Sequence, residues 1–92
     1  MKYKKVYIEV IVHVMPDGNT KPLLMIWDDG KSRQKYEIDK VKEIRRGAAQ
    51  KAGGMGMRYL VMMQGREKVL WYENPGWFVE VPENKYVERD EM

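Results

Sequence analysis

The run Arg58-Tyr59-Leu60-Val61-Met62-Met63, the turn Gln64-Gly65-Arg66-Glu67, the run Val69-Leu70-Trp71-Tyr72 and, after Asn74-Pro75-Gly76, the run Trp77-Phe78-Val79-Glu80-Val81 decide the fold. Each run is short, rich in β-branched and aromatic side chains, and bounded by residues that favour turns. Gly65 and the Pro75-Gly76 pair mark two reversals, so the runs are expected to be consecutive antiparallel strands.

Upstream, Val6, Ile8, Val10, Val12 and Val14 are all β-branched, while Tyr7, Glu9, Ile11, His13 and Met15 between them are mixed. Period-two patterning of this kind predicts a long first strand with one buried face. Pro16-Asp17-Gly18-Asn19-Thr20 ends it, Leu23 to Trp27 forms a second strand, and Asp28-Asp29-Gly30-Lys31 is a hairpin turn leading into Gln34–Ile38.

Between Asp39 and Ala52 two readings compete. Val41, Ile44, Ala48 and Ala52 recur at helical spacing behind Asp39, a residue suited to an N-cap. Gly47 in mid-run and continuity with Tyr36 and Ile38 favour instead a strand that bends near Asp39-Lys40 and runs to about Arg45, with a short helical turn near 46–52. Three glycines within Gly53-Gly54-Met55-Gly56 predict a loop over Ala52–Met57. The expectation is therefore all-β: a small, antiparallel, strongly twisted sheet or SH3-like barrel of about six strands.

At 92 residues, 43% hydrophobic and 34% charged, the chain forms one domain, placed at 1–82, followed by an acidic, flexible tail at 83–92. Such a domain removes about 60–65% of its unfolded surface from water. The longest apolar run, Val10-Ile11-Val12, is far too short to span a bilayer, and the basic N-terminus lacks a small-residue cleavage site, so a cytoplasmic protein without membrane association is expected. With no cysteine, disulfide scaffolds, cysteine zinc sites and thiol catalysis are excluded together.

Enzyme templates find few residues to use. His13, Ser32 and Thr20 are the only histidine, serine and threonine, and a triad would need a serine from a charged turn and a histidine from within a strand. Asp28 and Asp29 suit a hairpin turn and lack the spaced oxygen ligands of a calcium loop. Glu73 and Glu80, flanking the Pro75-Gly76 turn, read as edge charges. No catalytic residue, cofactor or metal is expected.

Charge is more informative. Lys31–Arg58 holds nine basic residues against Glu37, Asp39 and Glu43, nine minus three giving +6, so the rest of the +3 chain carries −3. Arg45, Arg46, Lys51 and Arg58 flank the glycine-rich stretch, which matches neither a Walker loop nor a dinucleotide fingerprint but can approach a phosphate. Aromatic rings interleaved with cations suit nucleic acid, because bases stack on rings while cations hold the backbone. Trp71 and Tyr72 must point to opposite faces, as must Trp77 and Phe78, leaving one ring of each pair as a candidate for exposure. The methionines, Met25, Met55, Met57, Met62 and Met63 among them, are read chiefly as core fillers.

The lead expectation is a non-enzymatic binding module that contacts nucleic acid, or an acidic protein partner, through Arg45, Arg46, Lys51 and Arg58. The alternative is an interaction domain, forming a weak homodimer through an exposed edge at the first strand or at Trp77–Val81. Trp27-Asp28-Asp29-Gly30, Tyr36-Glu37-Ile38-Asp39-Lys40-Val41, Lys51-Ala52-Gly53-Gly54-x-Gly56-x-Arg58-Tyr59 and Trp77-Phe78-Val79-Glu80 together resemble a group of short Firmicutes proteins with no assigned activity. That resemblance implies a single-domain β fold and no functional residue.

Overall fold

The computed structural model describes residues 2–48 and 55–82, and every regular element among them is a strand. They are β1 (Tyr3–Val14), β2 (Thr20–Asp28), β3 (Arg33–Glu37), β4 (Lys40–Ala48), β5 (Met55–Met63), β6 (Arg66–Glu73) and β7 (Gly76–Pro82). All pair antiparallel in the order β3-β2-β1-β7-β6-β5-β4, a strongly curled, barrel-like sheet. Seven strands replace the expected six because the third one breaks at Ile38-Asp39.

That break closes the curl. The Ile38 N–H donates to the Leu23 carbonyl of β2 at 3.0 Å, and the next N–H, of Asp39, donates to Met62 of β5 at 2.8 Å. Two successive amides thus tie opposite ends of the sheet together. At the other side β1 is the corner: its first half, Tyr3 to Ile8, pairs only with β7, and its second half, Glu9 to Val14, only with β2.

In the strand order the first strand and Trp77–Val81 are interior rather than terminal, although each half of β1, and β7 beyond Phe78, is paired on one side only. β1 and β7 pair with each other in the middle of the sheet, and β3 and β4 terminate it. Chain order cannot reveal a pairing between the first and last strands, which is set by closure of the whole sheet.

The concave face holds the main core: Met25, Tyr59, Val61, Met63, Leu70 and Trp77, with Ile8, Val10, Val12, Trp27, Tyr36 and Val79 packed against them. Met25 and Met63 fill core positions, as expected. Tyr59 is buried on this face, donates its hydroxyl to the Thr20 carbonyl at 3.3 Å, and has its pKa raised by that burial.

Two local expectations fail on β4 and β5. Residues 46–48 continue β4 rather than entering a helical turn, while 49–52 lie outside the described residues. A register shift between Val41 and Glu43 places Val41 opposite Val61 and Ile44 opposite Tyr59, so two residues three apart share a face. A bulge has reproduced helical spacing. The expected loop over Ala52–Met57 is corrected for Met55–Met57, where β5 begins and Gly56 pairs with Gly47 inside the ladder, while 52–54 lie outside the described residues.

The turns match their chemistry. Gly30 N–H donates to Asp28, and the Lys31 and Ser32 N–H groups donate to Asp29, so both carboxylates shape the β2–β3 turn. Gln64 and Gly65 have φ of 53° and 76°, the left-handed pair of a two-residue hairpin between Met63 and Arg66. Asparagine tolerates that conformation better than glutamine. Gln64→Asn is expected to raise stability by about 0.5 kcal/mol, read as a shift in the urea midpoint at unchanged slope.

Candidate functional site

Because β4 to β7 and β1 are mutually in register, one row of side chains crosses the convex face: Arg45 opposite Arg58, Arg58 opposite Trp71, Trp71 opposite Phe78, and Phe78 opposite Tyr7. Two guanidinium groups directly across a strand pair repel one another. Glu43 offsets this, lying 3.8 Å from Arg45 Nε and 3.3 Å from Arg58 Nη1. A single carboxylate between two cations leaves one positive charge uncompensated.

Of the two ring pairs, Trp77 and Phe78 are both buried, against the expectation of one candidate for exposure, while in the other Tyr72 is partly exposed. Tyr72 and Trp77 pack on the concave face, yet Trp71 and Phe78 on the other face are buried too, at 5% and 0% exposure. Their rings stack at 6.0 Å and 6°, Val69 packs beside them, and the Tyr7 ring meets Phe78 edge-on at 5.6 Å. Lys5 sets its ammonium 4.8 Å over the Phe78 ring and 3.1 Å from Glu73. A second small core therefore occupies the convex face, and the exposed ring there is Tyr7.

Tyr7 donates its hydroxyl to Glu73 at 2.9 Å, and that hydrogen bond is the main reason its pKa lies above the ordinary phenol value. Glu73 is thereby engaged by Lys5 and Tyr7, with Gly76 as its partner across the turn.

The eight described basic residues of Lys31–Arg58 do not gather on one face. Lys31, Arg33 and Lys35 belong to the β2–β3 hairpin, with Arg33 paired to Glu9 at 2.7 Å. Lys42, the bulged residue of β4, reaches Glu67 at 2.6 Å, a bond that holds the Glu67 carboxyl below its usual pKa. Lys51 lies outside the described residues. Alternation along strands and local pairing disperse the rest.

Three of the four residues singled out from the sequence nevertheless meet. Arg45, Arg46 and Arg58 line one cleft of about 1190 Å³, and Arg66, Lys68 and Glu80 line it as well. Its origin is in the register: β6 and β7 pair only from Trp71–Phe78 to Glu73–Gly76, then part, β6 continuing with β5 and β7 with β1. Residues from both faces of β6 contribute to the lining, Val69 and Trp71 from one and Lys68 and Leu70 from the other. Among the described residues Arg46, Arg66 and Lys68 form no ion pair.

Arg66 and Lys68 were missed in the sequence because they lie outside the basic segment. The alternation Arg66-x-Lys68-x-Leu70-x-Tyr72 was the available signal, since it puts both cations on the face of buried Leu70.

No cluster of three or more metal-ligating side chains occurs among the described residues, and His13 is an exposed residue of β1. Among the same residues no helix is long and apolar enough to cross a membrane. The chain matches no known family, curated protein or solved structure, so the cleft is interpreted from its own chemistry.

Proposed function

We propose that the protein is a non-catalytic, cytoplasmic binding module that holds nucleic acid along the cleft, with Arg45, Arg46 and Arg58 contacting phosphates. The observation that carries this is the balance of charge among the described residues of the cleft lining, Arg45, Arg46, Arg58, Arg66 and Lys68 against Glu80, with Glu43 shared between Arg45 and Arg58. Cations held on neighbouring strands concentrate positive potential, and a polyanion that displaces its counterions on binding them gains affinity at low salt. Tyr3, Trp27 and Tyr36 add rings to the same lining.

Binding should weaken steeply with salt, and replacing Arg45, Arg46 and Arg58 together by alanine should reduce the slope of log K against log salt by about 2 for a single strand. Fluorescence anisotropy of a labelled oligonucleotide across a salt series measures it. Unchanged affinity and slope in the triple variant would defeat the assignment.

Self-association through a strand edge is less favoured, because β3 carries Arg33 and Lys35 and β4 carries Lys40, Lys42, Arg45 and Arg46. Like edges pairing between copies would bring these cations together, which is how natural sheets discourage such contacts.

A further inference from the structure

We infer that the concave end of the cleft, whose lining Trp27 and Tyr36 share with Arg66 and Lys68, is a base-stacking subsite that makes the protein select single strands over duplex; this rests on the nucleic-acid reading above. The placement follows from β-strand parity. Arg66 and Lys68 are partners of Met63 and Val61, two core residues of the concave face, and are themselves exposed, so their charged ends rise from the rim of that face. Trp27 and Tyr36, from β2 and β3, pack against the same core cluster while remaining only partly buried. They are diagonal neighbours: Met25 is opposite Tyr36, and Trp27, two residues on, is opposite Gln34. All four line the cleft.

A duplex keeps its base faces stacked inside and offers phosphates at its surface. Rings recessed on a concave face therefore gain nothing from it, whereas an unpaired strand can turn its bases onto them while its phosphates stay with the cations. Arg45 and Arg58 line the cleft from the convex face, and Arg66 and Lys68 from the concave face. A single strand lying along the cleft would meet both pairs.

The test uses the full chain with three probes of similar charge: an oligothymidylate of about 15 nucleotides, a mixed-sequence duplex and inorganic polyphosphate. Oligothymidylate is expected to bind at least tenfold more tightly than either other probe. Tyr36→Leu should weaken oligothymidylate about fivefold or more with an unchanged salt slope, since stacking is lost and no phosphate contact is. Tyr36→Phe, which keeps the ring, should bind as the parent does. The double variant Arg66→Ala/Lys68→Ala alters only exposed positions and should lower the slope by about 1.4.

Equal binding of duplex and single strand, or a parental affinity and slope in both the Tyr36→Leu and the Arg66/Lys68 variants, overturns the stacking subsite. If the Arg45/Arg46/Arg58 variant still loses salt-dependent binding in that case, the broader reading stands without it. No binding of any probe at low salt overturns both.

Discussion

Replacing Phe78 by alanine is expected to remove about 3–5 kcal/mol of folding stability, a large part of the total for a domain of this size. Phe78 is fully buried on the convex face, where Trp71 stacks on it, Tyr7 meets it edge-on and Lys5 lies over it. Truncation deletes the shared contact of all three and opens a cavity that is slow to collapse, since the Phe78 backbone is held in ladders on both sides, opposite Trp71 and opposite Tyr7. Urea denaturation followed by tryptophan fluorescence measures the loss. Phe78→Leu, which keeps most of the volume, should cost less than half as much. An alanine variant within 1 kcal/mol of the parent would show that the convex cluster is not a core.

The second large effect is expected at Gly56. A Cβ added there would clash with the Tyr72 carbonyl oxygen and stand 3.2 Å from its carbon, both backbone atoms of the neighbouring β6. Neither atom can step aside without shifting the strand. Gly56→Ala should therefore cost about 3 kcal/mol, at the upper end of overpacking effects. Gly47, its partner across the ladder, is the control: a Cβ there meets only the Trp71 ring, at 3.9 Å, an ordinary contact. Gly47→Ala should change stability by less than about 1 kcal/mol. Equal urea midpoints for the two variants would contradict the close approach of β5 to β6.

Gly56 also shows why Met55–Met57 was misread as part of a loop. Glycine costs backbone entropy in a strand, and three close together argue for a loop when only local preference is weighed. The compensating term is non-local: a strand that must pass this near another backbone has no room for a side chain. The helical spacing from Val41 to Ile44 misleads for a related reason, because a bulged residue, visible only against β5, moves Ile44 onto the face of Val41.

The same bulge orders the candidate site. With Lys42 inserted, Arg45 faces Arg58 and Arg46 faces Met57; a ladder without it would slip by one residue and exchange their faces. The arginines could be chosen from the sequence because charge density is a one-dimensional property. Arg66 and Lys68 could not be found that way, since their place in the cleft comes from the parting of β6 and β7.

By itself the sequence determined the all-β class, the strand runs and the β2–β3, β5–β6 and β6–β7 turns, because alternation and turn stereochemistry act over a few residues. Only the tertiary structure decided that β1 and β7 lie at the centre, that Ile38 and Asp39 close the curl, that Trp71 and Phe78 build a second core, and which cations share the cleft. Those outcomes depend on pairings between residues as far apart as Tyr3 and Pro82, and such pairings are set by burial and register across the whole sheet rather than by any local run.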